Sequence, residues 1–153
     1  MTGLAEGEKK AGGNCCSFCS ILRGEAAAHV IYADDISLAI LDHRPLFPGH
    51  SLLLPRAHLL TLTDLPDEMI DQFFRNVRLL ARAVEVGMRA DGSFVAVNNR
   101  ISQSVPHLHV HIVPRRRHDG LKGFFWPRHR YSDEREINRV GESLRLAVEQ
   151  LGK

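Results

Sequence analysis

The chain is short of several things that would steer its reading elsewhere. It has three cysteines in 153 residues, one tryptophan, two tyrosines and no excess of either charge, with a formal net charge of +2. So small a balance gives no reason to expect a nucleic acid or membrane surface as partner. No apolar run approaches the roughly 18 residues of a membrane helix. No basic start followed by an apolar stretch suggests a secretory leader, so the cytoplasm is the expected compartment. No segment repeats. The cysteines crowd together as Cys15, Cys16 and Cys19, an odd and local set that makes a poor disulfide framework. Cys16-Ser17-Phe18-Cys19 reads as half of a metal clip, a redox pair or idle thiols.

What is present is an ordinary globular composition, 44% apolar and 25% charged. Residues 1–14 mix Gly, Ala, Lys and Glu without periodicity and are expected to form a disordered tail; 15–153 are expected to form one domain. Short β-favouring runs, His29 to Ala33 and Ile36 to Leu41, flank Asp34-Asp35 and predict a hairpin. The loop Asp42 to Gly49 carries two prolines and a glycine, and an apolar strand follows from His50 to Leu54. Over 66–90 the period changes. Ile70, Phe73, Phe74, Val77, Leu80, Ala81 and Val84 keep helical spacing, with Asp64 as the expected N-cap. Ser93 to Val97 is a predicted strand, and so is His107 to Val113. A last helix is predicted over 132–151, capped by Ser132, with Ile137, Val140, Leu144, Val148 and Leu151 in register. Strands, helix, strands, helix argue for an α+β fold with a largely antiparallel sheet of about five strands and two main helices.

Chemistry concentrates in His107-Leu108-His109-Val110-His111. Alternation along a strand puts the three imidazoles on one face and the apolar residues on the other. Such a face is a solvated strand, a metal site or a nucleophilic site. Just upstream, Asn98-Asn99-Arg100-Ile101-Ser102-Gln103-Ser104 supplies amides and hydroxyls able to surround an anion, and no extra acidic ligand. Anion binding beside three histidines suggests chemistry on phosphate.

The segment Gln103-Ser104-Val105-Pro106-His107-Leu108-His109-Val110-His111-Ile112-Val113-Pro114 resembles the signature of the histidine triad family. The likeness extends to Cys16 through Glu25, to Leu41-Asp42, Pro48-Gly49-His50 and Pro55-Arg56-Ala57-His58, and to Asp64-Leu65, about two-thirds of the chain. The resemblance implies a purine nucleotide substrate and His109 as a nucleophile that takes a nucleotidyl group from the α-phosphate. It implies that His107 orients His109 partly through its backbone carbonyl, that His111 bonds the phosphate and leaving group, and that His50 supports the nucleophile. Asp42 matches the residue that holds the ribose hydroxyls. Asn98, Gln103 and Ser104 match the phosphate loop, and Phe18, Ile21 and Leu41 the base-packing positions. Cys16, Cys19, His58 and His107 resemble a structural zinc site of some bacterial relatives; two thiolates and two imidazoles suit tetrahedral zinc. The chemistry itself needs no cofactor. A symmetric homodimer is expected.

The expected reaction is hydrolysis of a purine nucleoside phosphoramidate or dinucleoside polyphosphate. Glutamine is common at the third triad position in transferase and phosphorylase branches, so His111 favours hydrolysis. A nucleotidyltransferase, a non-catalytic nucleotide-binding protein and a histidine-ligated metalloprotein are the competing readings. Downstream, Arg115-Arg116-Arg117-His118, Lys122, Arg128, His129 and Arg130 form a basic tract. It reads as a solvated face or as cations reaching distal phosphates. Phe124-Phe125-Trp126 within it reads as a cover for the site or a subunit contact. His29 and His43 carry no motif and read as surface histidines.

Overall fold

A computed structural model describes residues 16–121 and 130–152. Two compact units divide the chain, one ending at Asp119 and the other beginning at Gly120. The first holds the sheet. Its elements run α1 (Ser17–Leu22), β1 (Val30–Ala33), β2 (Ser37–Leu41), β3 (Ser51–Pro55), a 3-10 turn (Leu62–Asp64), α2 (Asp67–Gly87), β4 (Gly92–Val97) and β5 (Val110–Arg115). The strands form one antiparallel sheet in the order β1-β2-β3-β5-β4.

Alternation divides the strands between two cores. Ala39, Leu53, Val110 and Ile112 face α2, where they meet Phe73, Val77, Leu80 and Val84 at helical spacing. Leu38, Ile40, Leu52 and Leu54 face the other way, where α1 lays Phe18 against them. The α2 face carries the main core. The opposite face carries the histidines.

Several local expectations shift. Asp64 does not cap α2, which begins after Pro66; its carboxylate instead accepts from the Thr61 backbone N–H at 2.9 Å and closes the 3-10 turn. Proline at the N-cap has no polar side chain to offer, so Asp67 and Glu68 in the first turn complement the dipole instead. β5 starts at Val110 rather than His107. The Leu108 N–H is bonded to the Leu59 carbonyl at 2.6 Å, outside the sheet ladder. α1 has no counterpart in the sequence pattern, because six residues are too few to display a period.

In the second unit, α3 spans Glu134–Leu151. Asp133, not Ser132, caps it, accepting from the Glu136 N–H at 2.8 Å; the Glu136 carboxylate accepts from the Ser132 N–H at 2.6 Å. The two together form a reciprocal cap. Ile137, Leu144, Val148 and Leu151 keep their helical register and are exposed.

Candidate active site

Two backbone groups and one bond between rings fix the protons of His50, His109 and His111. The His107 carbonyl lies 2.7 Å from His109 Nδ1, so Nδ1 carries the hydrogen and Nε2 keeps its lone pair in the neutral ring. The Leu46 N–H donates to His50 Nδ1 at 3.1 Å, which leaves the proton of His50 on Nε2. That Nε2–H points at His111 Nδ1, 3.0 Å away, and so leaves the hydrogen of neutral His111 on its own Nε2. The cluster therefore contains one acceptor nitrogen, on His109, beside one donor, on His111. Their ring centroids lie 4.9 Å apart.

Burial favours the neutral forms of His50, His107 and His111. His109 is 4% exposed and His107 wholly buried. Desolvation, with His109 and His50 adding to it, lowers the His111 pKa to about 4. Desolvation also lowers His50, against the pull of Asp42, whose Oδ2 stands 3.7 Å from its Nε2. Asp42 Oδ1 accepts the Arg44 N–H at 2.8 Å, which anchors the loop between β2 and β3.

Sequence reasoning set His50 beside the nucleophile; its bond here goes to His111. Phe18 packs edge-on against His109, with centroids 5.1 Å apart, and Ile21 shares its cluster. Leu41 does not join them. It follows Ile40 by one residue, so alternation turns it to the α2 face, beside Leu80 and Val84. Ile40, buried in the Phe18 cluster, is the β2 residue on the histidine side. The signal was the alternation of β2 itself.

The polar loop is braced from within. Gln103 donates from Nε2 to the Leu60 carbonyl at 2.6 Å and accepts the Arg100 N–H on Oε1 at 2.9 Å. Asn98 donates to the Ser102 carbonyl at 3.2 Å, and Asn99 accepts the Leu62 N–H at 2.9 Å. Arg100 and Ser102 adopt left-handed backbone at φ 67° and 59°. Both Asn98 and Gln103 thus shape the loop with side-chain bonds, while Ser104 is exposed at its end.

The basic tract is partly committed. Arg115 holds Asp119 through two bonds, of 2.6 and 2.9 Å; Arg116 donates to the Met88 carbonyl. These two guanidiniums serve the end of β5 and of α2. Lys122, Arg128, His129 and the aromatic run Phe124 to Trp126 lie outside the described residues, as do Cys15 and residues 1–14.

A second cluster adjoins the first. His107 Nδ1 lies 3.5 Å from Cys16 Sγ, 3.6 Å from Cys19 Sγ and 3.2 Å from His58 Nδ1; Cys19 Sγ lies 3.2 Å from His58 Nδ1. All four donor atoms fall within 4.8 Å of one another. His107 Nε2–H donates to the Pro55 carbonyl at 3.0 Å, so its Nδ1 bears no proton in the neutral ring. A tetrahedral ion with metal–sulfur bonds near 2.3 Å and metal–nitrogen bonds near 2.0–2.1 Å needs edges of roughly 3.3–3.8 Å. The donor set fits such an ion. Asp42, His50 and His111 also converge within 4.8 Å. There the Leu46 N–H keeps a proton on His50 Nε2, the atom that would have to ligate, so that trio does not fit.

This fold and this face of histidines define a histidine triad protein. The chain belongs to the HIT domain family, whose model matches residues 23–118. It is 39% identical to an uncharacterized HIT-like protein of Mycobacterium tuberculosis, over 88% of this chain and 94% of that one. It is 38% identical to the adenylylsulfatase HINT3 of Arabidopsis thaliana, over 71% and 56% of the two chains. With the adenosine 5'-monophosphoramidase hnt1 of Schizosaccharomyces pombe it shares 31% identity, over 84% and 95%. Among solved structures, a HIT family protein from Bacillus subtilis aligns with a TM-score of 0.77 at 32% identity, covering 85% of this chain and 94% of the other. A zinc-bound histidine triad protein from Mycobacterium smegmatis aligns with a TM-score of 0.66 at 39% identity, over 90% and 96%.

Proposed function

We propose that this protein hydrolyses a purine nucleoside phosphoramidate or a related adenylyl compound at its α-phosphate, through a nucleotidyl intermediate on His109. The bond from His109 Nδ1 to the His107 carbonyl carries this reading, because it leaves Nε2 as the nucleophile. Relatives named adenylylsulfatase and adenosine 5'-monophosphoramidase support the substrate class.

In the first step His109 Nε2 bonds to phosphorus and the leaving group departs with the electron pair of the broken bond. His111 donates its Nε2–H to the phosphate oxygens and the leaving atom. Water then attacks phosphorus and gives its hydroxyl to the nucleotide, its proton replaces the one that left His111 Nε2 with the leaving group, and the bond from phosphorus to His109 Nε2 breaks to return His109 to its starting state. Asp42 receives the ribose hydroxyls, Phe18 and Ile21 one side of the base, and Ser104 the phosphate. Cys16, Cys19, His58 and His107 hold a structural zinc, which supplies no step of the reaction. The chain works as a cytoplasmic homodimer, a reading supported by exposed Ile70 and Phe74 on α2 and by the edge position of β4.

The test is AMP release from adenosine phosphoramidate and from diadenosine tetraphosphate. His109→Ala is expected to abolish release, by about three orders of magnitude or more, while AMP still binds. Near-normal turnover in that variant would sink the proposal. Phosphorolysis or transfer outpacing hydrolysis would favour the transferase reading.

A further inference from the structure

We propose that Cys16 and Cys19 form a peroxide-oxidisable dithiol whose oxidation expels the metal and weakens nucleotide binding. The inference rests on the zinc reading above.

The two sulfurs lie within 4.8 Å of each other, both residues are half-buried, and His58 beside them is exposed, so a small oxidant can reach the site. No disulfide joins them to each other in this structure. Cys16 precedes α1 in non-helical backbone and Cys19 lies in its first turn. Closing a bond of about 2.0 Å between their sulfurs requires that turn to tighten. The chemistry balances. Hydrogen peroxide takes two electrons from the two thiolates, an S–S bond forms, the O–O bond breaks, two protons from solvent complete two waters, and zinc leaves as its divalent ion.

The consequence follows from what the cysteines bracket. Phe18 lies between them and forms a wall against His109, at 5.1 Å, and against His107, at 5.9 Å. α1 has only six residues, too few to hold its shape without outside ties. On the other side of the metal, His58 belongs to a segment that braces the rest of the site. The Leu59 carbonyl holds the Leu108 N–H, the Leu60 carbonyl holds Gln103, and the Leu62 N–H holds Asn99. The four ligands therefore bind the base wall, the nucleophile's segment and the polar loop at one point. Oxidation unties them together.

The experiment uses the full chain carrying Cys15→Ser, so that no third thiol intervenes. Reduced, zinc-loaded protein is treated with hydrogen peroxide while zinc release, thiol count, disulfide mapping and AMP affinity are followed. One zinc released with two thiols lost to a Cys16–Cys19 disulfide is expected. AMP affinity should fall about tenfold, the loss of one well-packed aromatic wall. Thiol reductant plus zinc should restore it, with the circular dichroism unchanged throughout. Oxidised protein that binds AMP as tightly as reduced protein would overturn the coupling, and so would oxidation beyond the disulfide with no Cys16–Cys19 bond. Reduced protein that never takes up zinc would overturn the metal reading itself, a separate and distinguishable failure.

Discussion

Desolvation holds His111 at about 4, against an ordinary value of 6.5, and this difference is a stability statement. Above pH 6.5 both folded and unfolded chains carry it neutral and nothing changes. Between pH 6.5 and 4 the unfolded chain binds a proton that the folded chain refuses, so stability falls as pH falls. The shift is worth about 3 kcal/mol across that window. His50, lowered by the same burial, pushes in the same direction. Urea midpoints should therefore drop steadily from pH 7 to pH 4.5. His111→Gln, which cannot titrate, should flatten that slope; an unchanged slope would show that His111 does not contribute. At neutral pH the variant is expected to retain nucleotide binding and to hydrolyse more slowly, by about tenfold to a hundredfold, as the donor facing the leaving group changes shape.

Asp34 shows how much of an element's placement rests on a side-chain bond. Its burial would raise its carboxyl. Bonds from Asn76, from the Ser37 backbone and hydroxyl and from the Ile36 N–H outweigh that burial and hold it at about 2. Asn76 Nδ2 reaches Asp34 Oδ2 at 2.6 Å and Ser37 Oγ at 2.9 Å, so one amide from α2 fastens the turn of the β1–β2 hairpin. Asp34→Ala should cost about 2–4 kcal/mol by thermal or urea unfolding, because it strands buried donors. In the wild type this contribution is present above pH 4 and lost as pH falls towards 2. If the variant melts with the wild type, the network does not carry the hairpin. The Asp34-Asp35 turn was legible in the sequence as a hairpin, and α2 as a period of apolar residues. The tie between them was not, since nothing local marks Asn76 as buried. The alternation of His107, His109 and His111 was equally plain. The roles expected of the three came from the family resemblance and not from the alternation, and the placement of their ring protons could not be read at all, for it depends on the Pro55 carbonyl, the His107 carbonyl and the Leu46 N–H. Backbone groups leave no signature in residue type. Gly49 was visible only as a loop former. Its φ is 95°, and a methyl group on its α-carbon would stand only 2.6 Å from Met88 Cγ, so it should resist substitution. Gly49→Ala is expected to displace the His50 loop and to reduce turnover more than stability.

Across the whole molecule, every buried apolar residue among those described lies between Phe18 and Pro114. Chain ending at Asp119 should therefore unfold cooperatively with a core close to that of the full chain; loss of the transition would show that the second unit is needed to complete it. No helix among the described residues is long and apolar enough to cross a membrane. The apolar stripe of α3 is exposed, so its removal should alter solubility or assembly, read by light scattering, before it alters the melting of the sheet. The bond from Leu46 to His50 reaches further than the site itself. Leu46 takes part through its amide alone and its side chain is exposed, so heredity has little to conserve there but a hydrogen on nitrogen. A saturation screen should find nineteen genotypes at that codon nearly interchangeable and proline alone silent, a residue essential to the chemistry that no comparison of side chains would pick out.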